Sequence, residues 1–201
     1  MTGVITNKIE GEVYTHRVLW QTANRLIRLG ETPKGAFYPH LAAMLTLYFV
    51  VEGYLNFVLD VLDPETFQHE RERFGSDMGK KAVHVCSVVG LTLNRGAMPY
   101  QFIANELGVL RDKVVHAKPE TYDPEIRGVD PDELPFMQPT EFDRRVSAEN
   151  CERAVQEVQQ FCTMIHAGAL NHASAQQRLR LGPEPLDGPT QIQTTSSSVA
   201  H

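Results

Sequence analysis

Apolar positions recur at helical spacing in five stretches of this chain, and they predict five helices. The first runs over 6–29, with Val13, Leu19, Trp20, Ala23, Leu26 and Ile27 in register and Arg17, Arg25 and Arg28 between them. Gly30 supplies a stop and Thr32-Pro33-Lys34-Gly35 a turn. The second, from about Pro39 to Leu62, is apolar nearly all round, as a helix is when it crosses a membrane or forms the centre of a bundle. Its charges favour the bundle: Glu52 sits in the middle, with Asn56 and Asp60 after it, and a carboxylate near a bilayer centre is costly. Tyr48, Glu52, Asn56 and Asp60 then form one polar stripe. It is either a rim beside solvent or a polar partner, or a face presenting a carboxylate to a site.

Residues 64–79 are charged and turn-rich, predicting a short solvated helix and a loop; His69-Glu70 lacks the second histidine of a zinc-protease motif. A third helix over about 80–92 carries Ala82, Val83, Val85, Cys86, Val88 and Val89. Pro99 opens a fourth, which runs through about Ala117 and places Phe102, Ile103, Leu107, Leu110, Val114 and Val115 on its apolar face before Pro119 ends it. Residues 118–145 hold five prolines, eight acidic and four basic residues, a long acidic loop of the kind that is often functional. Ser147 caps a fifth helix whose buried face is Ala154, Val158, Phe161, Cys162 and Ile165. Beyond Ser174 the chain turns rich in Gln, Ser, Thr, Pro and Gly. The expectation is an all-α single bundle of four to five helices over 1–173, with a disordered or loosely attached tail over 174–201.

Charge narrows the function classes. A formal net charge of −6 argues against broad non-specific nucleic-acid binding, though not against a small local basic site. Cys86, Cys151 and Cys162 are odd in number and widely spaced, which fits free thiols in a reducing cytoplasm better than a disulfide framework or a zinc knuckle. The N-terminal residues carry no secretory pattern, and no phosphate loop or glycine-rich dinucleotide turn occurs, so neither a membrane nor a cofactor is expected.

One stretch, Leu110-Arg111-Asp112-Lys113-Val114-Val115-His116-Ala117-Lys118-Pro119, has the residues for chemistry. Asp112 and His116 are spaced to share a helix face, where a carboxylate sets the histidine tautomer and favours its charged form. The helix C-terminus favours imidazolium too, and Arg111 offers a permanent cation with fork geometry for phosphate. The same residues are also ordinary capping chemistry. On a straight helix Arg111 and His116 lie roughly 140° apart, so they converge only if the helix end distorts or two chains meet about a twofold axis.

The stretch, in an all-helical chain, resembles the Arg-x4–6-His signature of HEPN domains, over roughly residues 39–172. These are small helical bundles, often homodimeric. Many are metal-independent ribonucleases of toxin–antitoxin, CRISPR and RNA-processing systems, and others are inactive adaptors. The resemblance implies a homodimer with an RNA substrate, no cofactor, and a protein partner or antitoxin. It implies Arg111, Asp112 and His116 as catalytic residues and Lys113 and Lys118 as substrate contacts; Glu52 and Asn56 of the polar stripe are candidates for polar support of that site. In that reading His116 exchanges a proton with the ribose 2′-hydroxyl or the leaving oxygen, Arg111 stabilises phosphate charge, and Asp112 orients His116. Two departures stand out: the family commonly has Asn where this chain has Asp112, and Lys118 stands where one subgroup has a tyrosine modified by its antitoxin. A non-catalytic interaction module and an unrelated helical scaffold are the alternatives.

Overall fold

The computed structural model describes residues 7–31, 35–117 and 141–197. Among them the fold is all-α apart from one two-stranded antiparallel ribbon. Strand β1 (Asn7–Val13) precedes α1 (Thr15–Leu29), α2 (Phe37–Leu62), α3 (Pro64–Gln68), α4 (Glu70–Phe74) and α5 (Met78–Val88). Next come α6 (Tyr100–Phe102), a π-helical segment (Ile103–Gly108) and α7 (Val109–Val115), which form one nearly continuous rod. The chain ends in α8 (Glu141–Arg145), α9 (Ala148–His172), α10 (Ala175–Leu181) and strand β2 (Gln191–Ser197).

The all-round apolar helix is the centre of the molecule. Leu47, Val51, Tyr54, Leu55 and Val58 of α2 are fully buried, and α1, α5, α9, α10 and the π segment all pack on it. A helix of that length and apolarity also meets the requirement for crossing a bilayer, but here it is mostly enclosed by its own chain. The apolar face read for α9 is buried as expected, from Ala154 through Ile165. Ser147 caps α9, its hydroxyl accepting from the Asn150 amide at 3.1 Å. The three cysteines are buried and not disulfide-bonded, and burial pushes the thiols of Cys86 and Cys151 up to about 11 and about 12.

Two expectations are corrected. The helix predicted from residue 6 begins only at Thr15. Asn7–Val13 instead pairs with Gln191–Ser197, Gly11 opposite Gln193. The segment contains a glycine and lacks a helical apolar repeat, and its partner strand lies at the far end of the chain. The tail expected to hang loose from residue 174 is docked over its described residues, 174–197. Ser174 and Gln177 form a capping box that starts α10, and Leu181 and Leu186 are buried. Arg17, itself 3% exposed, donates to the carbonyls of Leu181, Glu184 and Pro189 at 3.3, 3.0 and 3.1 Å. Gly182 and Gly188, with φ of 75° and 116°, allow the tail to turn around that guanidinium. Polar composition misled here because the tail is held through its backbone carbonyls, which composition does not report.

A buried polar core gives a pH prediction. His16 is 2% exposed, its ring 4.7 Å from Phe57 and 5.4 Å from Tyr54 between centroids. Burial and the Arg17 charge push its pKa down to about 4, against a partial pull upward from the Pro185 carbonyl. His166, whose Nδ1 lies 2.9 Å from the Tyr54 hydroxyl, is lowered too, chiefly by burial. Unfolded histidine titrates near 6.5, so below that pH the unfolded chain takes up a proton that the folded chain refuses. Stability is therefore complete above about pH 6.5 and falls as the pH drops towards about 4. Urea midpoints measured across that window decline with falling pH, and His16→Phe flattens part of the decline. An equally steep decline in His16→Phe excludes His16 as its source.

Candidate functional site

The polar stripe of α2 is met along its length by cations from three other elements. The Arg111 guanidinium of α7 lies 5.9 Å from the centre of the Tyr48 ring. Lys81 of α5, only 1% exposed, donates to the Asn56 side-chain oxygen at 2.8 Å, lies 3.7 Å from Glu52 and pairs closely with Glu70 of α4. Arg180 of α10 bridges Asp60 and Glu12. An ammonium removed from water needs carboxylates around it, and the stripe supplies them. Glu52 and Asn56, expected to support the motif, are thus engaged with Lys81, though Glu52 also contributes to the field at Arg111 and Tyr48. Sequence reading missed Lys81. Its signal was a lysine in line with Ala82, Val85 and Val89, on the apolar side of a short helix.

The motif sits where the fourth predicted helix ends. Arg111 is half-buried, its Nη1 donating to the Asp112 carboxylate at 2.8 Å, while its Nε is buried with no hydrogen-bond partner among the described residues. The bond to Asp112, with the Asp112 and Glu52 charges, raises the guanidinium's pKa against a smaller opposing effect of burial. The Tyr48 hydroxyl is pushed up, first by burial and then by the Glu52 charge. No family model, curated protein or solved structure matches this chain. The motif geometry therefore stands without a relative beside it.

His116 is exposed and has left the helix, with φ −109° and ψ 35°, while its amide still donates to the Asp112 carbonyl at 2.9 Å. His116 is the C-cap of α7: its amide makes the last helical bond, and the chain departs from helical geometry from that residue on. Asp112 has a different partner from the one its spacing suggested. The 112–116 spacing keeps its helical backbone bond, but the Asp112 carboxylate accepts from Arg111 and not from His116.

The remaining site residues divide. The Lys113 ammonium lies 5.9 Å from the centre of the Phe142 ring of α8. Lys118 lies outside the described residues. Val114 and Val115 beside His116 are 37% and 55% exposed, and Phe49 beside Tyr48 is 40% exposed, which leaves apolar side chains open around the motif. Among the described residues no group of three or more His, Cys, Asp or Glu side chains could hold a metal ion. The π segment directly before α7 was not predicted. Such segments inside helices occur frequently at functional sites.

Proposed function

We propose that this chain is a HEPN-like, metal-independent endoribonuclease that works as a homodimer, with Arg111 and His116 of two copies around one cleft. The observation that carries the reading is the disposition of the pair: a charged, half-buried guanidinium braced by Tyr48 and Asp112, and an exposed imidazole released from the helix end. Neutral His116 accepts the proton of a ribose 2′-hydroxyl as the 2′-oxygen attacks phosphorus. The bond to the 5′-oxygen breaks, and that oxygen takes a proton from the imidazolium of the second copy's His116. Arg111 stabilises the charge that grows on the phosphate oxygens. The products are a 2′,3′-cyclic phosphate and a free 5′-hydroxyl. Asp112 acts here by holding Arg111 in place.

Exposed Val114, Val115 and Phe49 support a twofold contact at α7. Light scattering at micromolar concentration is expected to give a dimer, and Val115→Asp to shift it towards monomer. A wild-type monomer contradicts the shared cleft.

A second reading, a non-catalytic interaction module with the same bundle, is favoured by the Arg111–Asp112 pair, which neutralises the cation that would meet phosphate. Incubating purified protein with RNA in EDTA separates the two. Cleavage that His116→Ala removes supports the enzyme, and intact RNA supports the module.

A further inference from the structure

We infer that the cleft between α8, the π segment and the first turns of α9 binds the sugar–phosphate backbone of single-stranded RNA. The choice of RNA over other polyanions rests on the ribonuclease reading. The cleft itself rests on charge and geometry.

The cavity has a volume of about 530 Å³ and is lined by Arg144, Arg145, Arg153, Gln101, Asn105 and Asn150 among others. Among the described residues Glu106 is the one carboxylate in the lining, and Glu157 stands 3.7 Å from Arg153, so three arginines meet two glutamates, an excess of one positive charge. That excess is concentrated in one place on a chain whose formal net charge is −6. Arg145 is already committed: its Nη1 donates to Glu106 at 2.6 Å and to the Asn105 carbonyl at 3.3 Å. This bond joins α8 to the π segment and closes one wall. The Asn150 side-chain amide donates to the carbonyls of Arg144 and Arg145 at 3.3 and 2.9 Å, fixing the end of α8 against α9. The wall is therefore built before any ligand arrives.

Arg144 and Arg153 line the cleft without a bond to Glu106. Arg144 is exposed. Arg153 has its guanidinium 4.9 Å from the centre of the buried Phe102 ring, with Glu157 3.7 Å from its Nε and half of its side chain exposed. A guanidinium held against an aromatic ring is a pre-set platform: it can pair with a phosphate through its edge or stack a base on its face. Gln101 and Asn105 add amides, which recognise a ribose hydroxyl or a base edge.

Position links the cleft to the motif. Asn105 and Glu106 stand on the rod that continues into Arg111, and Lys113, between Arg111 and His116 in the chain, reaches the Phe142 ring of the helix that also holds Arg144. A strand with one phosphate at Arg111 has further cations beside the same rod, on α8 and α9, for other phosphates.

The test is fluorescence anisotropy with a labelled twelve-nucleotide oligouridine and the full-length His116→Ala chain in EDTA, over a range of salt. Removing one cation that pairs with a phosphate of a single strand lowers the slope of log affinity against log salt by about 0.7, so Arg144→Gln/Arg153→Gln is expected to lower it by about 1.4. Arg25→Gln/Arg28→Gln, which removes the same charge from α1, is expected to leave the slope unchanged. No binding by the parent chain overturns the proposal, as does an unchanged slope in Arg144→Gln/Arg153→Gln. An equal loss in Arg25→Gln/Arg28→Gln also overturns it, since bulk charge then accounts for binding. Displacement by polyglutamate as effective as by unlabelled RNA overturns it too, and assigns the cleft to an acidic protein partner. Melting curves matching the parent chain certify that the variants fold. Binding with the expected slopes but no cleavage by wild type sinks the ribonuclease reading and leaves the cleft standing. Cleavage with unaltered slopes does the reverse.

Discussion

Wild-type protein is expected to cleave RNA in EDTA to fragments ending in 2′,3′-cyclic phosphate, and His116→Ala is expected to abolish this. Loss of a positioned general acid–base group costs about 10²–10⁴-fold in rate, and a twofold site that loses both copies sits at the upper end. The melting curve of His116→Ala should barely move, because the side chain is exposed and lies beyond the helix end. Arg111→Ala should lose activity by about 10²–10³-fold, the usual cost of removing a group that stabilises transition-state charge. It should also lose some stability, because the guanidinium is half-buried against Tyr48. Asp112→Asn keeps an oxygen that can accept from Arg111 and removes a negative charge beside the phosphate, so its activity should be retained. A histidine that serves only as a cap predicts otherwise: no cleavage by wild type, and a modest loss of melting temperature in His116→Ala. Wild-type cleavage that survives His116→Ala identifies a contaminant or another active site, and the assignment falls.

Leu55→Ala should be among the most damaging substitutions in the chain for stability. Leu55 is 0% exposed at the centre of α2, where α1, α9 and the π segment surround the helix. Truncating a leucine in such a place removes its transfer free energy and leaves a cavity that rigid helices cannot close, at a cost of about 2–5 kcal/mol. At about 2–4 °C per kcal/mol for a chain of this size, the melting point should fall by roughly 4–20 °C. Tyr38→Ala, on the same helix but 75% exposed, is the comparison and should cost far less. Equal losses for Leu55→Ala and Tyr38→Ala would show that α2 is not the buried axis of the bundle.

Much of the helical framework was legible from local pattern. The apolar character of α2, the Ser147 cap and buried face of α9, and the position of Arg111 and His116 at a helix end all follow from residues within a few turns of one another. Helix periodicity and capping are local physics, so one sequence suffices to read them. Contacts between distant segments were not legible. The pairing of β1 with β2, the burial of Lys81 between α2 and α4, the grip of Arg17 on the tail carbonyls and the stacking of Arg153 on Phe102 each join groups that no local pattern connects. The same holds for Asp112. Its spacing from His116 suggested one partner, but the end of α7 and the nearness of Arg111 gave it another. A charged side chain takes whichever counter-charge the packed backbone brings within reach. Which one that is depends on how the helices cross, and packing alone decides it.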